Sequence, residues 1–190
     1  MRHLPFLLCL SLLATAPLSH VAAQDKPAAT KGSWSSRQVG DVQIETPFEL
    51  KEVPGIAANL PDEVRQKVDS MRSSMGGGED SFIVFVTTST YKAGVPVSLD
   101  GTVSGMINGA ATRMGDTNPK STTTPTKVSG LEARRATYEN KLPNGQPLHI
   151  EILAVQRGQT VVQVQGLYSS DTFKADVERM MASIAIKPAP

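Results

Sequence analysis

The sequence predicts an α+β fold, in which a mainly antiparallel sheet is sandwiched by helices (α/β/α). Three successive strands are expected at about 130–139, 147–156 and 159–168, and strands joined by hairpins form antiparallel sheets. An earlier strand, Ser81 to Thr90, is apolar on both of its faces, so each face of the sheet needs a covering layer. Helices on both faces satisfy that requirement.

The chain starts with the pattern of an export signal. Phe6 to Ala16 carries no charge and is too short to span a bilayer as a helix. Val21-Ala22-Ala23 provides the small residues that signal peptidase needs before Gln24. We therefore expect residues 1–23 to be a signal peptide and the protein to be exported, either periplasmic or secreted. An uncleaved membrane anchor is the alternative.

After the signal, composition restricts the classes of protein and of partner. The whole chain has 19 Lys and Arg against 18 Asp and Glu, and cleavage removes Arg2, so the mature chain carries no net formal charge. This balance gives no electrostatic basis for binding nucleic acid or an anionic membrane. The single cysteine, Cys9, leaves with the signal, so a packed core must replace disulfides. A polar lead at 24–33 is expected to be disordered, and 34–187 to form one domain.

The first elements of this domain are a hairpin and a helix. Two short alternating runs, Trp34 to Val39 and Val42 to Thr46, flank a turn at Gly40-Asp41. Pro61-Asp62-Glu63 is a typical helix start. Apolar residues follow at helical spacing, and three glycines would end the helix. These residues are Val64, Val68, Met71 and Met75, with Gly76, Gly77 and Gly78 as the stop.

The second half of the domain has the more regular patterns. Leu99 to Met114 carries an apolar helix stripe, and a Thr/Pro-rich connection, Asp116 to Lys127, leads into the three strands. Turns are predicted at Pro143-Asn144-Gly145 and at Arg157-Gly158. The chain closes with an amphipathic helix, whose cap is Ser170 or Asp171 and whose apolar residues are Phe173, Val177, Met180, Met181 and Ile184.

This order of elements resembles the PsbP-like fold family, which includes DcrB-type exported bacterial envelope proteins. The resemblance lies in the opening hairpin followed by Pro47-Phe48, the buried strand Phe82 to Val86, the meander that begins at Gly130-Leu131-Glu132-Ala133, and the closing helix. It covers about 34–187 and implies a non-enzymatic accessory or binding protein, because members of the family share a scaffold and no common active site.

His149 is the one histidine of the mature chain, and Glu151 follows it on the same face of a strand. Such a pair could serve as two metal ligands or as an acid and a base. Metal sites need three or four ligands, and a catalytic base needs a nucleophile beside it. We therefore expect an exposed polar pair on the sheet, with no catalytic residues, no bound metal and no cofactor.

Three glycines repeat every four residues in the second predicted helix, at Gly101, Gly105 and Gly109. Each costs about 1 kcal/mol relative to alanine, so a stripe of them needs a compensating close contact. A neighbouring helix of the same domain would explain the stripe, and the alternative is contact with a partner or a second copy of the chain.

The sequence therefore predicts an exported non-catalytic accessory or binding protein of the cell envelope, whose partner is another envelope protein. One alternative is a small-ligand carrier with a pocket between sheet and helix. A second is an unrecognised hydrolase, which would need His149 in a cleft within reach of Ser, Asp or Glu.

Overall fold

The computed structural model describes residues 32–78, 81–142 and 145–187. The predicted signal peptide and almost all of the predicted lead lie outside these residues, as do Pro143 and Asn144 of one predicted turn.

A seven-stranded sheet forms the centre of the fold, and every neighbouring pair of its strands is antiparallel. Its strands, in spatial order, are β3 (Lys51–Glu52), β4 (Val68–Gly77), β5 (Ile83–Tyr91), β9 (Thr160–Tyr168), β8 (Pro147–Arg157), β7 (Leu131–Lys141) and β6 (Ser121–Val128). A smaller sheet consists of β1 (Ser35–Val39), β2 (Val42–Thr46) and β10 (Ala185–Ile186), in the order β1-β2-β10.

Helices cover both faces of the large sheet. On one face α2 (Leu99–Arg113) packs against β7 and β8, and a one-turn helix, α1 (Asp62–Arg65), packs against β4 after a 3₁₀ turn at Ile56–Asn59. On the other face α3 (Lys174–Ala182) packs against β9 and β2, so that the small sheet joins this layer. The predicted α+β sandwich is confirmed, with the small sheet as an additional part of one outer layer.

Each face of the sheet has its own apolar core. The core beneath α2 includes Val103, Met106 and Ile150, whereas the core beneath α3 includes Leu153 and Val177. Val84 and Val86 of β5, with Phe82 just before the strand, face the α3 core, and Phe85 faces the α2 core. The prediction that this strand is buried on both faces is therefore confirmed, with Phe82 directly preceding it.

Two predictions about local structure are wrong and a third misses a strand. The segment after Arg65 forms β4 instead of a continuing helix, so the glycines at 76 and 77 lie in a strand and stop no helix. The last hairpin turns at Gly158-Gln159, because Arg157 is already paired with Thr160. The Thr/Pro-rich connection contains β6, a strand at the edge of the sheet.

The predicted start of the last helix is confirmed. The Ser170 side chain accepts a hydrogen bond from the Thr172 backbone N–H, opening a 3₁₀ turn at Asp171–Phe173 that leads directly into α3. Val177 and Met180 of α3 are fully buried. This cap fixes where α3 begins and so places its first turn beside the ends of β8 and β9.

Candidate functional site

A groove of about 410 Å³ lies between α3 and the part of the sheet formed by β6 to β9. Most of its lining residues are polar, and they come from β6, β7, β8, β9 and α3. The residues are Thr122, Thr124, Arg135, Ala136, Thr137, Tyr138, Glu139, His149, Ile150, Glu151, Tyr168, Lys174 and Glu178. The groove is open on one side and is the candidate binding site of this fold.

A buried carboxylate forms the floor of the groove. Glu151 lies on β8 with 5 % of its surface exposed, and its Oε2 accepts a hydrogen bond of 2.6 Å from Nη2 of Arg135 on β7. Glu151 is paired with Gly166 of β9, and a Cβ at Gly166 would lie 2.7 Å from Cγ1 of Val177. The close approach of α3 at this point leaves the carboxylate covered, so the guanidinium of Arg135 compensates a charge that would otherwise be costly to bury.

His149 occupies the end of the groove beside the start of α3. Its ring stacks on Tyr168, its cross-strand neighbour, with ring centroids 4.9 Å apart and the planes 14° from parallel. His149 Nδ1 lies 3.4 Å from Oε1 of Glu139, and Nε2 lies 3.8 Å from Oδ1 of Asp171. Both carboxylates are largely exposed, so the ring is held between two acidic side chains at the mouth of the groove.

The pKa of Tyr168 reflects the burial and the negative charge at this end of the groove. Burial, followed by the charges of nearby carboxylates, raises the pKa of Tyr168 to about 12. The contributing carboxylates are Glu151, Glu178, Asp171 and Glu139. These four carboxylates lie on β8, α3, the 3₁₀ turn and β7, respectively. Negative charges from four elements therefore lie near the phenol of Tyr168.

The open side of the groove is a row of threonines. Oγ1 of Thr122 on β6 and Oγ1 of Thr137 on β7 are 2.6 Å apart, and Thr137 is in turn paired with Glu151. Thr124 lies two residues after Thr122 on β6, and its Oγ1 is 3.4 Å from the carbonyl oxygen of Arg135. The rim therefore presents short hydroxyl side chains on an edge strand, next to the ion pair of Arg135 and Glu151.

The residues singled out by sequence fall into two separate places. His149 and Glu151 do share a face, but the expectation of an exposed polar pair is wrong, because Glu151 is buried and 79 % of the His149 side chain is covered. Gly101, Gly105 and Gly109 lie on α2, at the opposite face of the sheet. Gly105 is buried and the other two are half-buried.

Arg135, Tyr168 and the two carboxylates beside His149 were not found by sequence reasoning. A glutamate within a strand whose neighbours are Ile150 and Ile152 was the available signal, since a buried charge requires a partner. The register of β7 on β8 determines which cationic side chain pairs with Glu151. That register is a property of the tertiary structure and cannot be read from the sequence.

Carboxylates lie beside both ring nitrogens of His149, with Nδ1 3.4 Å from Glu139 and Nε2 3.8 Å from Asp171. In the described part of the chain, no three His, Cys, Asp or Glu side chains are grouped to hold a metal ion.

Within the same ranges, no helix is both long and apolar enough to cross a membrane.

Comparison with known proteins places the fold without giving a closer relationship. No protein-family model and no curated protein matches the chain. The solution structure of cyanobacterial PsbP (CyanoP) from Synechocystis sp. PCC 6803 is similar with a TM-score of 0.53 and 10 % identity, over 90 % of this chain and 99 % of that one.

Two further solved structures match less well in superposition. A protein of unknown function from Pseudomonas aeruginosa, PA94, gives a TM-score of 0.44 at 12 % identity, over 83 % of this chain and 100 % of its own. LpqN of Mycobacterium tuberculosis, described as involved in cell envelope biogenesis, gives 0.39 at 10 % identity, over 84 % and 87 %. On the match to CyanoP, the chain has an α+β fold like that of PsbP.

Proposed function

We propose that this chain is an exported, non-catalytic accessory protein of the cell envelope, and that it binds another protein through the groove beside α3. The observation that carries the proposal is the groove itself, which is open on one side, is lined mostly by polar residues and is built on the ion pair between the buried Glu151 and the partly exposed Arg135. Export is inferred from the signal pattern of residues 1–23, and the accessory role from the resemblance to DcrB-type envelope proteins.

The character of the groove favours a protein over a small molecule as occupant. Pockets for small ligands are mainly apolar and enclose most of their ligand. This groove instead has threonine hydroxyls along its rim and charged side chains on α3 and β7, as protein interfaces outside their central core commonly do. The carrier alternative predicted an apolar cavity with a few inward polar groups, whereas this groove is open on one side and most of its lining residues are polar or charged.

The arrangement of His149 favours binding over catalysis. The histidine lies in a cleft with carboxylates in reach, which is what the hydrolase alternative required. A catalytic base also needs a nucleophile beside it, and carboxylate oxygens lie beside both ring nitrogens. Such a ring is suited to holding Glu139 and Asp171 at a fixed separation.

Site-directed photo-crosslinking in the exporting cell tests the proposal. A photoreactive phenylalanine analogue replaces Thr124, which is exposed at the groove rim, or Thr112, which is exposed on α2 at the opposite face. We expect a protease-sensitive adduct of protein size from position 124 and none from position 112. Equal adducts from the two positions, no adduct, or an adduct of small-molecule size at position 124 would contradict the proposal.

A further inference from the structure

We propose that a buried water molecule binds on the α2 side of the large sheet, between Ser89 of β5 and Gln163 of β9, and bridges these two strands. The site lies on the opposite face of the sheet from the groove and does not depend on protein binding there. It is carried by a row of buried polar side chains, in which two polar atoms have no hydrogen-bond partner among the described residues.

Four buried polar side chains lie together on this face of the sheet. Ser73 of β4 is paired with Thr87 of β5, which is in turn paired with Gln163 of β9. Directly paired residues share a face, and Ser89 shares the face of Thr87 because it follows two residues later. Tyr91, the next residue on that face of β5, belongs to the α2 core, so the whole row lies in this core.

The row has more hydrogen-bonding groups than it satisfies internally. Oγ of Ser73 and Oγ1 of Thr87 are 2.9 Å apart, a hydrogen bond that uses one of their two hydroxyl protons. Ser89 is fully buried and Gln163 is 2 % exposed, yet Ser89 Oγ and Gln163 Nε2 have no partner within the described parts of the chain. Buried polar atoms in folded proteins are paired with protein or with ordered water, because an unpaired one loses its hydration without compensation. Two such atoms on adjacent strands therefore indicate a shared partner.

The pairing of the strands fits one bridging molecule. Ser89 is opposite Val161 and Gln163 is opposite Thr87, so Ser89 and Gln163 are diagonal neighbours on one face. Diagonal neighbours lie about 7–8 Å apart, which the long glutamine side chain and one bridging molecule can span. A buried water makes about three hydrogen bonds, and the second hydroxyl proton of the Ser73–Thr87 pair, beside Gln163, supplies the third.

Water has the chemistry that this position requires. Phe85, Tyr91 and Val161, which flank the row, belong to the apolar α2 core, so a charged ligand would be costly to bury here. A water molecule can accept from the amide nitrogen of Gln163 and can either donate to or accept from the hydroxyl of Ser89. It would satisfy the opposite orientation of the Gln163 amide equally well, because it can also donate to the amide oxygen.

Solution NMR of the purified chain tests the inference. We expect cross-relaxation between water and the side-chain amide protons of Gln163, with the sign of a water molecule that tumbles with the protein. Gln43 is the internal control, because it is exposed and its Nε2 also lies beside a serine hydroxyl, 3.0 Å from Oγ of Ser36. Its amide should show only the weak signal of surface water. No signal at Gln163, or the same signal at both glutamines, would overturn the inference.

A high-resolution crystal structure provides the second measurement. We expect an ordered water within about 3.2 Å of both Gln163 Nε2 and Ser89 Oγ. Gln163→Met combined with Ser89→Ala removes both polar groups and should abolish the water. Gln165→Met, the same change on the same face of β9 at a half-buried position, should leave it in place. Direct bonds from the two atoms to protein groups, or a water that persists in the double variant, would contradict the proposal.

Discussion

Glu151 is a carboxylate that the fold buries in the middle of an antiparallel sheet, 2.6 Å from a guanidinium on the next strand. Arg135 itself is 41 % exposed, so water shares in solvating the pair from one side only. Such an arrangement is costly to break from the Arg135 side, because the carboxylate remains buried without its partner.

Arg135→Leu should therefore lower the free energy of unfolding by about 1–3 kcal/mol, the cost of leaving a buried group unsatisfied. Adding Glu151→Leu should recover part of that loss, because an apolar pair replaces an unpaired charge. Chemical denaturation measures both, with Arg72→Leu on the exposed surface as the control. A double variant less stable than Arg135→Leu alone would contradict the account of this pair.

The stack of His149 on Tyr168 gives a second prediction at the scale of residues. His149→Ala should cost about 1 kcal/mol, since aromatic pairs contribute about 0.5–1.5 kcal/mol beyond burial. His149→Phe keeps a ring at the same place and should retain most of the stability. Thermal and denaturant unfolding of the two variants decide it, and equal losses in both would show that the stack contributes nothing.

Tyr168 predicts how stability responds to alkaline pH. Its folded-state pKa is raised to about 12 by burial and by carboxylate charges, whereas an unfolded tyrosine titrates near about 10. The neutral phenol thus stabilises the fold fully below about pH 10, and this contribution disappears as the pH rises through about 12. NMR of the labelled tyrosine ring carbon, assigned with Tyr168→Phe, follows the titration, and a midpoint near 10 in the folded protein would refute it.

At the scale of elements, the apolar residues of strand β4 have the spacing that is typical of a helix. Val68 and Met71 are three residues apart yet both belong to the α2 core, because a register shift between Val68 and Ser70 adds one residue to the strand. Met75 follows four residues after Met71 on the same face. The irregularity gives a spacing of three, and two regular strand repeats give the spacing of four, so that together they match the helical pattern.

The glycines that end β4 have a role in backbone packing. Gly77 has φ of 95°, and a Cβ there would lie 1.9 Å from the carbonyl oxygen of Phe82. We expect Gly77→Ala to destabilise the protein by about 1–3 kcal/mol through strain and overpacking. Gly78→Ala is the matched control, since nothing lies within 4 Å of its Cβ position. Similar melting temperatures for the two variants would refute this role.

The glycine stripe of α2 remains a prediction about packing. Gly105 is buried, so Gly105→Ala should destabilise the protein even though alanine favours helix by about 1 kcal/mol. Gly101→Ala should be neutral or stabilising, because the nearest atoms to its Cβ position are 3.4 Å away. Melting temperatures should be independent of protein concentration if the contact lies within the domain. A stabilised Gly105→Ala variant would leave the packing idea without support.

At the scale of the whole molecule, the long and regular patterns were predictable. β5, α2, α3 and the three-strand meander carry apolar residues whose period matches their structure. β6 carries no such signal, since most of its residues are exposed on both faces. Pro125 also argued against a strand there, and at the edge of a sheet proline is tolerated.

The groove itself could not be predicted, because it exists only through tertiary register. Arg135 meets Glu151 across β7 and β8, and Asp171 reaches His149 from the turn before α3. Sequence reasoning placed His149 and Glu151 on one face of a strand but expected an exposed pair, whereas Glu151 is buried. It could not identify the carboxylates around them, which come from three other elements.

Blocking the groove tests the central claim, that this surface binds a partner protein, most directly. Thr124→Trp places a large side chain on the exposed rim, and Thr112→Trp places the same side chain on exposed α2. The measurement is the binding affinity for the partner identified by the crosslink at position 124, with unfolding curves to show that both variants fold. The account predicts a loss of about tenfold or more for Thr124→Trp, as expected when an interface is sterically blocked, and unchanged affinity for Thr112→Trp. Unchanged affinity in Thr124→Trp, or an equal loss in both variants, would contradict it.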